Sequence, residues 1–132
     1  MNKLYDVGEL TGRVLISAIF ILSGFSKVGG YAGTQAYMES QGVPGALLPL
    51  VIVTELGGGI LVVLGLWTRL AALALAGFSV LAALLFHANF GDQMQMILFM
   101  KNFAMAGGFL FLVAHGAGAV SLDAWRARRA MP

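Results

Sequence analysis

The sequence predicts an all-α integral membrane protein, a four-helix antiparallel bundle with both termini on the cytoplasmic side. Three observations lead there. Of the 132 residues, 59% are hydrophobic and 11% charged, with a mean hydropathy of +0.87, whereas a water-soluble domain is about half apolar and a quarter charged. Apolar runs near the ~20-residue length that crosses a bilayer recur at about 10–26, 46–66, 70–88 and 93–114. With alternating spans, Lys3, Arg13, Arg69, Arg126, Arg128 and Arg129 gather on one side and only Lys27 and Lys101 on the other. By the positive-inside rule the richer side is cytoplasmic.

Residues 1–132 therefore read as one transmembrane domain, with no separate soluble catalytic unit. The chain has no cysteine, which removes thiol relays, iron–sulfur clusters and thiolate metal sites. No metal-ligand spacing or nucleic-acid motif is visible. The net charge of +2 comes largely from a basic interfacial tail at 119–132, suited to an anionic lipid surface. The first run is expected to be an uncleaved helix rather than a signal peptide, because Arg13 directly precedes it and an Ala-x-Ala-like site is missing.

In the first span Glu9 and Arg13 stand four apart, a spacing that predicts a local ion pair holding Arg13 at headgroup level. At about 100° per residue, Arg13, Ser17, Phe20, Gly24 and Lys27 share one stripe, with Ser23 at its edge, and this stripe should face the bundle. Gly29-Gly30 ends the helix. The loop to Pro44 should hold a short helix with Thr34 as N-cap and Gly42 as its terminating glycine. Tyr31, Tyr37 and Met38 give that helix an apolar side, to lie on the membrane surface or over the mouth of a site.

The second span carries the most informative stretch, Glu55 followed by Gly57-Gly58-Gly59. An ionised carboxylate at membrane depth costs several kcal/mol or more unless paired, hydrated or protonated, so Glu55 is a functional-site candidate. Gly57, Gly58 and Gly59, with Gly108 later in the chain, are candidates for close helix packing. Trp67-Thr68-Arg69 reads as a tight turn, with Trp67 an interface anchor and Arg69 a charge that marks a membrane side.

His87 lies near the end of the third span, as an interfacial hydrogen-bonder or a ligand contact. Asp92 with Gln95 three later predicts a capping box for the last helix. That helix carries Lys101-Asn102 about two turns in, with Lys101, Gly108 and His115 on one face. Gly116 and Gly118 stop it, and Trp125 and three arginines follow in the tail.

This topology brings Lys27, His87, Lys101 and Asn102 into the outer half of the bilayer, with Glu55 roughly 13 Å below the outer end of its helix. The expectation is an outward-facing polar pocket. Glu55 and Lys101 are its acid and base, the candidate catalytic pair. Ser23, Lys27, His87 and Asn102 contact the substrate, and Phe20, Phe86, Phe90 and Met105 form apolar walls. The alternative is that Glu55 and Lys101 pair only as interhelical glue.

Five stretches carry a family resemblance: residues 20–30 (FILSGFSKVGG), 37–44 (YMESQGVP), 54–69 (TELGGGILVVLGLWTR), 99–110 (FMKNFAMAGGFL) and 116–123 (GAGAVSLD). As an ordered set over nearly the whole chain they resemble the DoxX family of small bacterial inner-membrane proteins, in particular its YphA-like members. The resemblance implies four antiparallel transmembrane helices in the bacterial cytoplasmic membrane. It also implies a shared polar constellation of Arg13, Ser23, Lys27, Glu55, Arg69, Lys101 and Asn102. Members of that family include subunits of thiosulfate:quinone oxidoreductase and proteins tied to oxidative-stress complexes or to quinone and catechol detoxification. The expected function is a redox-linked subunit that binds a quinone or similar lipophilic molecule. The cofactor is open between a quinone and a flavin supplied by a soluble redox partner. The alternatives are a small-solute binder or transporter working as a homo-oligomer, and a membrane scaffold for a partner protein. Whether the chain is itself an enzyme stays open.

Overall fold

The computed structural model describes residues 2–131. It is all-helical, with four helical segments long and apolar enough to cross a membrane: Lys3–Gly29, Gly45–Leu64, Thr68–Phe86 and Gln93–His115. Helix α1 (Lys3–Gly29) begins earlier than the apolar run because Asn2 caps it, its side-chain oxygen accepting from the Leu4 N–H at 2.9 Å. The polar first turns thus belong to the helix. The inward stripe is as the periodicity predicts, for Arg13, Ser17, Phe20 and Gly24 are the buried residues of α1.

Helix α2 (Tyr31–Ser40) follows after Gly30 alone. Thr34 is not its N-cap. It lies inside the helix, its hydroxyl donating to the Gly30 carbonyl at 2.9 Å. Gly42, with φ +79°, turns the chain out of α2, a conformation that favours glycine.

The second span is not the regular helix that its hydropathy suggests. A 3-10 turn, Gly45–Leu47, leads into α3 (Leu48–Ile52), then a π-helical turn, Val53–Gly57, then α4 (Gly58–Leu64). Pro49 sits in the first turn of α3, where its missing N–H costs nothing. The Thr54 hydroxyl donates to the Leu50 carbonyl at 2.8 Å, drawing on an acceptor that a regular helix would use. The π turn holds Glu55 at its centre.

Helix α4 ends at Gly65, in the left-handed region at φ +69°, with the Arg13 guanidinium and Ser121 packed where a side chain would stand. Trp67 is also left-handed, at φ +47°. It precedes α5 (Thr68–Phe86), which pairs extensively with α6 (Gln93–His115). The tail forms α7 (Leu122–Ala130), capped by Ser121, whose hydroxyl accepts from the Ala124 N–H at 3.1 Å. Pro132 of the tail lies outside the described residues.

The main core joins Phe20, Val62, Leu75 and Phe109. Phe20 meets Phe109 edge-on at 5.4 Å between ring centroids. A second cluster, Met38, Val43 and Leu48, fastens α2 over the end of the bundle. Leu15, Leu22, Leu70 and Phe111 stay exposed, as lipid-facing residues do. Close packing uses several glycines: a Cβ on Gly59 would lie 2.8 Å from Ile21 Cγ1, and one on Gly108 2.6 Å from Ile16 Cδ1. One on Gly58 would stand 3.0 Å from Leu75 Cγ. Gly57 departs from the expectation, with nothing within 4 Å of that position.

Candidate functional site

Between α1, α2, the second span, α5 and α6 lies a cavity of about 240 Å³. At its wall Lys27 Nζ stands 2.7 Å from Glu55 Oε1 and donates to Ser23 Oγ at 2.6 Å. Ser23 and Lys27 are one helical turn apart on α1, so both reach the cavity from one face. The Glu55 side chain is 5% exposed and that of Lys27 25%. A carboxylate so buried needs a close partner, and Lys27 supplies it.

Lys101 is not that partner. It lines the cavity from α6, a helix that packs mainly on α5 rather than on the second span, and it remains exposed. The expected Glu55–Lys101 pair is replaced by Glu55–Lys27. The next residue, Asn102, is buried and faces the cavity. His87 lies at the rim, its Nδ1 2.9 Å from Gln95 Oε1. Gln95 therefore does not close the capping box. Asp92 caps α6 alone, accepting from the Met94 N–H at 3.0 Å.

Phe20, Phe78, Phe86 and Met105 form apolar walls, and Tyr37 of α2 also lines the cavity, its ring stacked on Phe86 at 5.6 Å. Phe90 does not line the cavity. It packs edge-on against Phe99 at 4.9 Å instead. The cavity thus gathers Glu55, Lys101, Ser23, Lys27, His87 and Asn102, although their order of pairing differs from the expected one.

Arg13 and Arg69 work at the opposite end. The Glu9–Arg13 pair does not form: the Arg13 guanidinium is 1% exposed and donates to the Val62 carbonyl at 3.2 Å, to Val63 at 3.3 Å and to Val120. Being on the inward stripe, Arg13 meets the carbonyls of the last turn of α4. Arg69 likewise donates to the Val113 and Ala114 carbonyls, both at 3.2 Å, at the end of α6.

Asp123 escaped the sequence reading. Its carboxylate accepts from the Trp67 N–H at 2.8 Å and the Thr68 N–H at 2.9 Å, capping α5 from α7 and holding Trp67 left-handed. Burial alone raises its pKa, but the N–H groups of Thr68 and Trp67 and the charge of Arg126 outweigh that and lower it. Its place as the second residue of a capped helix was visible in the sequence. Its partners, more than fifty residues away, were not.

Fold and site together define a multi-pass helical membrane protein with a ring-sized cavity built around a buried ion pair. The DoxX family model matches residues 8–88, and the chain belongs to that family. It is 52% identical over 123 residues to "Inner membrane protein YqjF" of Escherichia coli (strain K12), covering 93% of this chain and 95% of that one. To "Inner membrane protein YphA" of the same organism it is 40% identical over 138 aligned positions, covering 93% and 99%. "Putative oxidoreductase CatD" of Bacillus subtilis (strain 168) is 38% identical over 76 residues, 58% of this chain and 57% of that one. No solved structure matches. With relatives named as inner-membrane proteins and four candidate spans, the chain is a multi-pass protein of the bacterial inner membrane.

Proposed function

We propose that the chain binds a quinone or a similar lipophilic ring in the cavity beside Lys27 and Glu55, as the membrane subunit of a redox reaction. The observation that carries this reading is a buried acid–base pair on the wall of a cavity otherwise built from Phe20, Phe78, Phe86 and Met105. Such a cavity matches a ligand that is apolar over its faces and polar at one or two oxygens. The name of the Bacillus subtilis relative, an oxidoreductase, supports a redox role.

Reduction of a quinone to a quinol takes two electrons and two protons. A partner protein supplies the electrons. The Ser23 hydroxyl and the Lys27 ammonium are the groups that donate hydrogen bonds to a carbonyl oxygen; the two protons come from solvent, relayed through the Lys27 ammonium, which Glu55 holds in place. By the distribution of lysine and arginine the cavity opens toward the periplasmic side, with both termini in the cytoplasm.

The test is recovery of bound small molecules from protein purified in mild detergent, with Glu55→Gln beside the wild type. A quinone recovered from the wild type and depleted in an equally well folded Glu55→Gln supports the reading. Movement of a small solute across liposomes with no quinone bound transfers the cavity to a solute carrier.

A further inference from the structure

We propose that the ring bound in this cavity carries one negative charge, and that Lys101 and Asn102 recognise it. The inference rests on the reading of the cavity as a quinone-type binding site and adds the charge class of the ligand.

The charge balance of the cavity carries it. Among the described residues three charged side chains line the cavity: Lys27, Glu55 and Lys101. Lys27 and Glu55 stand 2.7 Å apart and cancel. Lys101 makes no ion pair or hydrogen bond among the described residues, which leaves the cavity one positive charge in excess. Neither Glu39 nor Asp92 lines the cavity, and Asp92 caps α6. His87 is occupied by Gln95. An unbalanced lysine at membrane depth is costly, and an anion in the cavity relieves that cost while the buried Asn102 amide offers it a neutral donor.

Volume sets the size. An apolar cavity of about 150 Å³ takes benzene, and drug-sized ligands need about 300–1,000 Å³. The cavity here, about 240 Å³, suits one ring with small polar substituents. The occupant is therefore a single-ring quinone or quinol bearing an ionised carboxylate or hydroxyl. The Phe20 and Phe86 side chains lie along its apolar surface.

A matched ligand pair tests this. Gentisate, a carboxylated hydroquinone, and its neutral methyl ester are measured by equilibrium dialysis against the protein in lipid nanodiscs, with protein-free nanodiscs correcting for partition. Wild type, Lys101→Met and Lys101→Arg are compared. Expected is about a tenfold loss of gentisate affinity in Lys101→Met, or about 1.4 kcal/mol, with the ester changed less than twofold and Lys101→Arg close to wild type. Equal loss for both ligands, or loss for neither, overturns the proposal and makes Lys101 a lipid-facing anchor. Ester binding without gentisate binding also overturns it while leaving the quinone-type cavity intact. Binding of neither by the wild type removes both readings together.

Discussion

Lys27 reaches from the last turn of α1 to Glu55 at the centre of a π turn, Nζ to Oε1 2.7 Å. The contact joins the one acidic residue of the second span to a helix that precedes it by a whole loop and a covering helix, and it places an ion pair on the wall of a ring-sized cavity. π turns insert one residue into a helix and recur at functional sites. Here the insertion coincides with the carboxylate.

Removing one member leaves the other uncompensated. Lys27→Met is expected to destabilise the bundle by about 1–3 kcal/mol, below the ~3–5 kcal/mol of a fully buried pair because Lys27 is partly exposed. The double variant Lys27→Met/Glu55→Gln should recover part of that. Thermal unfolding in detergent, arranged as a double-mutant cycle, measures the coupling. Additive effects within ~0.3–0.5 kcal/mol would mean that the two residues do not interact.

The Arg13 guanidinium serves three carbonyls from two segments. Lysine keeps the charge and loses the planar fork. Arg13→Lys should cost about 2 kcal/mol and loosen the chain before α7, read as faster proteolysis near Val120. An unchanged melting temperature and an unchanged digestion pattern would contradict this role.

Glycines of the second and fourth spans divide by what faces them. Gly59→Val and Gly108→Val push a side chain into Ile21 and Ile16 and should cost about 1–3 kcal/mol each. Gly57→Ala meets open space and should be neutral or gain up to ~0.5–1 kcal/mol. Comparison of the three melting temperatures checks the order, and a Gly57→Ala as damaging as the valines would refute it.

The docking of α7 on α5 depends on an ionised Asp123. Its pKa is lower in the folded protein, so the stabilisation is present above the ordinary carboxylate pKa and is lost as pH falls through the folded value. Acidification from neutral pH should therefore release hydrogen-exchange protection at the Trp67 and Thr68 amides, and Asp123→Asn should weaken that protection and flatten its pH dependence. Protection that rises on acidification would reverse the sign.

Much of the architecture was legible because it is local. Hydropathy located the four spans, and helical periodicity picked out the buried stripe Arg13, Ser17, Phe20 and Gly24. The set of polar residues at the cavity followed from counting which helix ends meet. What the sequence concealed is non-local. Lys27 and Lys101 are equally plausible partners for Glu55 until helix packing decides between them, and packing depends on which glycines admit which side chains. The π turn has no periodic signature, since one added residue lengthens an apolar run by only one and leaves its hydropathy as it was. Arg13 has a charged neighbour at helical spacing, yet its inward position turns it to backbone carbonyls instead.

The most direct measurement is photolabelling with an azido-substituted single-ring quinone in native membranes, followed by peptide mapping. Label should concentrate on α1 from Phe20 to Lys27 and on α6 from Asn102 to Met105, be displaced by unlabelled quinone, and fall sharply in a folded Glu55→Gln variant. Label spread over lipid-facing positions such as Leu15, Leu22 and Phe111, undisplaced and indifferent to Glu55, would contradict a binding site at the ion pair.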